Sequence, residues 1–124
     1  MSLSQADLDR LHTIPEIRIG PNRDDGTSGK PVIVWVVVVD GQPYVRSVRG
    51  DQGKWYQQVL RSRRATLHVD AARLRVVAEP VTDAAQNQKI SDAFRAKYAQ
   101  RWPGPTAGIL RPAAVHATFR LTPA

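Results

Sequence analysis

Residues 31–64 read PVIVWVVVVDGQPYVRSVRGDQGKWYQQVLRSRR. The stretch opens on a nearly unbroken β-branched run, Val32 to Val39, apolar on both faces of the strand it predicts. Asp40-Gly41 follows, the dipeptide that best suits a tight hairpin because both positions tolerate positive φ. A second strand is predicted from Tyr44 to Arg49. Gly50 and Gly53 then break the chain. From Lys54 to Leu60 the spacing turns helical: Trp55 and Val59 are four apart, as are Tyr56 and Leu60. Cations gather where the second strand ends. Segment 46–64 holds Arg46, Arg49, Lys54, Arg61, Arg63 and Arg64 against a single acid, Asp51, so most of the formal net charge of +7 falls there. A strand that runs through a glycine loop rimmed with cations into a helix is a plausible seat for a phosphate.

Working outward, residues 4–12 predict a short helix capped by Ser4, with Asp7 three residues on. Pro15 ends it, and Ile17 and Ile19 suggest a brief strand with Arg18 facing outward. Residues 21–29 form a polar loop that carries the adjacent acids Asp24 and Asp25; Lys30 follows it. After the basic segment, Ala65–Asp70 and Arg73–Glu79 predict a second hairpin. The long helix is expected over 83–102. Asp83 and Gln86 resemble a capping box, and Ile90, Phe94, Tyr98 and Trp102 form a packing stripe. Pro103-Gly104-Pro105 is expected to stop this helix, 108–112 to connect, and Ala114–Thr122 to form the last strand. Strands that arrive as hairpins argue for an antiparallel sheet or small barrel rather than a parallel α/β sheet.

The chain has 124 residues and no cysteine, which bounds it to one expected domain, 1–124, without disulfides or thiolate metal sites. Its start, MSLSQADLDR, has no apolar core of a signal peptide, and the longest apolar run is too short to span a bilayer, so a soluble cytoplasmic protein is expected. His12, His68 and His116 stand in separate segments, without metal-ligand spacing. Neither Ser28 nor Ser47 has a local base, and Gly50-Asp51-Gln52-Gly53-Lys54 is neither a P-loop nor a dinucleotide fingerprint. With no catalytic constellation evident, a redox cofactor would supply the chemistry while the protein holds it. Arg46, in mid-strand beside valines, lies either on an open sheet face or in a polar pocket.

The order Thr27-Ser28-Gly29-Lys30-Pro31, an apolar strand, Asp40-Gly41, a strand carrying Ser47, a glycine loop and Trp55-Tyr56 resembles the split-barrel flavin and deazaflavin oxidoreductases. Within them it is most similar to the small deazaflavin-dependent nitroreductase-like branch and to the bacterial family DUF2255. That resemblance implies a split β-barrel of about six mostly antiparallel strands with flanking helices. It also implies FMN or F420 as a hydride carrier to a small organic acceptor, and a homodimer, which is expected as well from the two apolar faces of Val32–Val39 in so short a chain. Carried onto this chain, it places the cofactor phosphate at Ser47, Arg49, Gly50 and Lys54, with Gly50 giving its amide. Trp55 matches a structural tryptophan, Gln58 stands where the family has asparagine, and Lys54 where it has proline. Arg46 would face the ring or its polar tail, and Lys30 would edge the substrate opening. A different function is left open by the same cations. With Trp55 and Tyr56 among them they would form a nucleic-acid surface of phosphate contacts and stacked bases, or the barrel would serve as a cofactor-free structural module.

Overall fold

The computed structural model describes residues 3–22 and 29–124. The expectations placed on Asp24, Asp25, Thr27 and Ser28 lie outside them. Helix α1 spans Gln5–Thr13, and Ser4 caps it by accepting from the Asp7 amide at 3.1 Å. Seven strands follow from hairpin-forming sequence: β1 (Ile17–Pro21), β2 (Val32–Val34), β3 (Val36–Val39), β4 (Gln42–Arg46), β5 (Arg64–Val69), β6 (Ala72–Pro80) and β7 (Thr118–Pro123). Between them lie α2 (Lys54–Ser62), α3 (Ala84–Tyr98), α4 (Pro103–Ile109) and α5 (Pro112–Val115). Asp40 and Gly41 both take positive φ, 53° and 73°, as the β3–β4 turn requires.

All strands join one antiparallel sheet in the order β2-β1-β5-β6-β7-β4-β3. Its two ends, β2 and β3, are separated in the chain only by Trp35. The sheet therefore curls until its edges meet in one bent run, which makes a nearly closed, split barrel. Counted as one strand, 32–39 gives the expected six. It is not, however, one continuous ladder. Val34 pairs with Ile17 on β1, whereas Val36 pairs with Val45 on β4. The break has a local cause. The Val36 amide donates to the Tyr98 hydroxyl at 3.2 Å, and that hydroxyl donates to the Pro15 carbonyl at 2.7 Å. Lys97 Nζ donates to the Val36 carbonyl at 2.6 Å and to the Leu11 carbonyl at 2.9 Å. Side chains of α3 thus take up backbone groups of the bend. Trp35 turns outward and stacks on the Tyr98 ring, centroids 3.9 Å apart and planes 3° from parallel.

The barrel interior is filled by Leu11, Ile17, Ile19, Val36, Val45, Val59, Leu67, Phe119 and their neighbours. A second layer lies outside the wall, where α3 lays Ile90, Phe94 and Tyr98 over Val37 and Tyr44. Each such fully buried side chain contributes roughly 1.5–3 kcal/mol relative to exposure. The two apolar faces of 32–39 are accounted for only in part. Both faces of β3 are covered, one by the barrel and one by α3, but the outer face of β2 leaves Ile33 52% exposed.

Three sequence expectations are corrected. α3 ends at Tyr98, and Pro103-Gly104-Pro105 does not merely stop a helix. It starts α4 with proline at the first position, where the missing N–H would have no partner in any case. Pro112 starts α5 in the same way, so the last strand begins at Thr118 rather than Ala114. β4 ends at Arg46, three residues early, although the Ser47 amide still donates to the Ala117 carbonyl at 3.0 Å.

Candidate functional site

β4 delivers the chain into 47–53, and two glycines shape that loop. Gly50 has φ +65°, and a β-carbon there would stand 3.1 Å from the Ala113 carbonyl oxygen. Close approach of the loop to α5 therefore excludes a larger residue. A β-carbon at Gly53 would run into Ser47 Oγ. The absence of one lets the start of α2 sit directly on Ser47. Gly53 is also the N-cap of α2. It offers no side-chain acceptor, and the first turn holds no acid. The leading amides of α2 thus have no intrahelical or side-chain partner among the described residues and present the positive end of the helix.

That end opens on a groove. Val32 and Ile33 form one wall; Ser47, Val48, Arg49, Gly53, Lys54 and Trp55 form the other, around a volume of about 270 Å³. A second lobe, also about 270 Å³, shares Ile33, Val48 and Trp55 and continues to Glu16, Trp35, Pro105 and Ile109. Arg49 and Lys54 are exposed on the rim, Ser47 is buried in the wall, and Trp55 is largely buried with one side on the groove. Val32, Ile33 and Val48 are the exposed large hydrophobic residues among those described. They make an apolar strip along the groove, next to its cations.

The remaining predicted residues stand elsewhere. Gly50 sets the turn but does not offer its amide, which donates to the Ser47 carbonyl at 2.9 Å. The leading amides of α2 are the available donors instead. Gln58 is exposed one turn along α2 from Lys54 and lies beside Gly29; Lys30 is exposed next to it, ahead of β2. Neither of the two lines the groove. The Arg46 side chain borders the second lobe, but all its donors are used behind the wall. Nε donates to Thr118 Oγ1 (2.8 Å), Nη1 to Ser91 Oγ (2.9 Å) and the Ile109 carbonyl (3.3 Å), and Nη2 to the Asn87 carbonyl (3.0 Å) and Oδ1 (3.3 Å). Of the two positions open to Arg46 in the sequence, the polar pocket is the one it takes. It is 2% exposed, and burial lowers its pKa to about 10. This arginine ties β4 to β7, α3 and α4, and no N–H is left for a ring or its tail.

The six cations of 46–64 do not form one cluster. Arg46 is buried, Arg49 and Lys54 stand at the start of α2, and Arg61, Arg63 and Arg64 lie at or beyond its last turn, about 10–13 Å along the axis. Tyr56 does not offer a face to bases either, because it is buried against Phe119 with ring centroids 5.0 Å apart. Sequence reasoning marked Val32–Val39 as apolar on both faces but did not set its open end beside the basic loop, and it read Val48 as a strand residue. Val32 and Ile33 are left open because β2 lies at the sheet's end, paired only with β1, and Val48 because it lies in the loop past β4.

No helix among the described residues is long and apolar enough to cross a membrane, and none of their His, Asp and Glu side chains gather in threes at metal-binding distance. Residues 7–121 match the model of DUF2255, described as an uncharacterized protein conserved in bacteria, and the chain belongs to that family. No curated protein sequence matches it. Among solved structures it is similar to the conserved hypothetical protein Rv2991 from Mycobacterium tuberculosis, at 13% identity and TM-score 0.67, covering 98% of this chain and 80% of that one. It is similar to HutZ, the haem storage protein from Vibrio cholerae, at 14% identity and TM-score 0.64, covering 100% and 92%. A FAD-binding protein from Mesorhizobium loti aligns at 16% identity and TM-score 0.59, again covering 100% and 92%. At these identities the likeness establishes the split-barrel fold, shared by proteins that bind different cofactors.

Proposed function

We propose that this member of the DUF2255 family is an oxidoreductase that holds a phosphorylated ring cofactor of the FMN or F420 class in the groove between β2 and the start of α2. The observation that carries the proposal is the meeting of two exposed cations, Arg49 and Lys54, with an uncapped helix N-terminus at the rim of an apolar cleft. The residues fit such a group at both ends. Arg49 grips a phosphate as a planar fork, Lys54 adds a mobile point charge, and the leading amides of α2 donate to its oxygens. Ile33, Val48 and Trp55 offer an apolar surface for a ring. When bound, a flavin or deazaflavin supplies hydride transfer to a small organic acceptor. The chain's own residues fix the phosphate, orient the ring and exclude water.

A homodimer completes the reading. Val32, Ile33 and Val48 are exposed beside a groove with one open side, and a second copy placed there would cover the strip and roof the cleft. Titration of the purified protein with FMN, F420 and haem, followed by absorbance and fluorescence, tests the function. Binding to FMN or F420 that is lost in Arg49→Ala and in Lys54→Ala, with circular dichroism unchanged, supports it. Absence of binding to either at roughly tens of micromolar overturns it, and binding of haem alone would replace it with a haem-binding function.

A further inference from the structure

A cavity of about 420 Å³, larger than either lobe of the groove, runs along α3 from Ala84 to Arg95. Val81 closes it, with Leu110 and Val115 from the ends of α4 and α5. Asn87 and Ser91 are its buried polar residues, while Arg95 and His116 stand exposed at its mouth. It shares no lining residue with the groove.

Asn87 and Ser91 are also the residues of α3 that hold the Arg46 guanidinium. That group is 2% exposed and has no ion pair among the described residues, whose four ion pairs involve Arg10, Lys89, Arg95 and Arg120. Its partners are neutral oxygens and the Phe94 ring, whose centroid lies 5.3 Å away. Burial lowers its pKa only to about 10, so it stays charged at neutral pH. A buried charge without a counter-ion is unfavourable, and its field carries further through a low-dielectric wall than through water.

Ser91 brings that charge to the cavity. Its Oγ accepts from Arg46 Nη1 at 2.9 Å, but its own hydroxyl donates to none of the described residues, although the side chain is only 9% exposed. A hydroxyl that accepts from a cation is polarised into a stronger donor. The guanidinium repels the hydroxyl proton, and the cavity is the open side left to it.

The lining selects the occupant. No acid lines the cavity among the described residues. The carboxylates next to it are engaged: Asp92 by Arg95 at 3.1 Å and by Gln88 at 3.0 Å, and Asp83 by the Gln86 amide at 2.8 Å. The apolar walls, Val81, Ala84, Leu110 and Val115, suit an anion with an apolar body rather than a hydrated inorganic ion. A phosphate dianion needs several donors, and the buried part offers one free hydroxyl. A carboxylate can place one oxygen there and leave the other to the mouth. We propose that this cavity binds a small organic carboxylate, which accepts from Ser91 Oγ, packs its body on Val81, Leu110 and Val115, and answers the buried charge of Arg46. The site does not depend on the cofactor assigned to the groove.

Fluorine NMR titration of the purified protein with 4-fluorobenzoate, and with the neutral 4-fluorobenzamide, tests the proposal. The carboxylate is expected to bind saturably, with a Kd of roughly 1 mM or tighter, and the amide at least tenfold more weakly. Binding of the carboxylate should be at least fivefold weaker in Ser91→Ala and absent in Ala84→Trp, which fills the mouth from an exposed position. It should be unchanged in Arg49→Ala/Lys54→Ala. Circular dichroism reports whether each variant is folded, and Ala84→Trp decides if Ser91→Ala does not fold. The proposal is overturned by absence of saturable binding up to about 10 mM. Equal affinity for the amide, binding that survives in folded Ser91→Ala or in Ala84→Trp, or loss in the groove variant overturns it too. So does inorganic phosphate that displaces the probe at equal concentration.

Discussion

Arg46 ends β4 and Arg49 lies three residues further on, in the loop that follows, yet the structure treats them as opposites. Arg46 is folded under α3, 2% exposed, with every N–H donated to a neutral oxygen. Arg49 stands in solvent on the rim of an apolar groove, beside Lys54 and the open end of α2. The difference arises from what covers the wall. Behind β4 the chain has supplied a helix whose Asn87 and Ser91 match the guanidinium. In front of it the chain has supplied no cover, and the cations there remain available to something else. The clamp at Arg46 stabilises the fold, while the rim at Arg49 and Lys54 leaves charge available to a ligand.

The comparison is broken most severely at the clamp. Arg46→Ala leaves buried acceptors on Thr118, Ser91 and Asn87 without a donor and opens a cavity beside Phe94. The expected cost is on the order of 3–5 kcal/mol, read as a fall in the midpoint of urea unfolding. Arg49→Ala in the same assay is expected to leave the midpoint unchanged. A smaller clamp effect would show that Arg46 is not the tie between sheet and helix.

Tyr98→Phe comes next. It removes the hydroxyl that takes the Val36 amide and binds the Pro15 carbonyl, while keeping the ring stacked on Trp35. A loss of about 1–3 kcal/mol is expected, with faster hydrogen exchange at Val36. Unaltered exchange at that amide would mean that the bend at Trp35 has another cause.

These two residues also show what the sequence could and could not convey. The hairpins, the Ser4 and Asp83 caps and the Ile90–Phe94–Tyr98 stripe were legible because each depends on neighbours within a few residues. The split of 32–39 was not, since its cause is a hydroxyl 62 residues further along. α4 and α5 were missed because proline breaks a helix interior but suits its first position, and local pattern does not distinguish the two uses. At the site, Ser47, Arg49, Lys54 and Trp55 were legible as a basic loop leading into a helix. The grouping with Arg61, Arg63 and Arg64 was not, because closeness in sequence becomes most of a helix's length in space.

A gentler perturbation uses pH. Burial of the Lys97 ammonium against the Leu11 and Val36 carbonyls lowers its pKa to about 8, from the ordinary lysine value of 10.5. Below pH 8 both the folded and the unfolded chain keep this proton. Between pH 8 and the unfolded value the unfolded chain binds more protons, so the Lys97 contribution makes stability rise with pH. The difference in unfolding free energy between the wild type and Lys97→Met is expected to grow in the wild type's favour from about pH 8 to about pH 10. A difference that is flat or of opposite slope would place the ammonium in a solvated position. Arg49→Ala, on the rim, is expected to show no such slope.

The most direct test of the groove compares each ring cofactor with its phosphate-free counterpart, FMN with riboflavin and F420 with the deazaflavin lacking its phosphate, by fluorescence titration. For the cofactor that binds, the phosphate is expected to tighten affinity by about tenfold or more. That advantage should vanish in Arg49→Ala/Lys54→Ala while Arg46, still clamped, keeps the barrel folded. Equal affinity with and without the phosphate, or an advantage that survives loss of both cations, would contradict the assignment of the α2 rim as the phosphate seat.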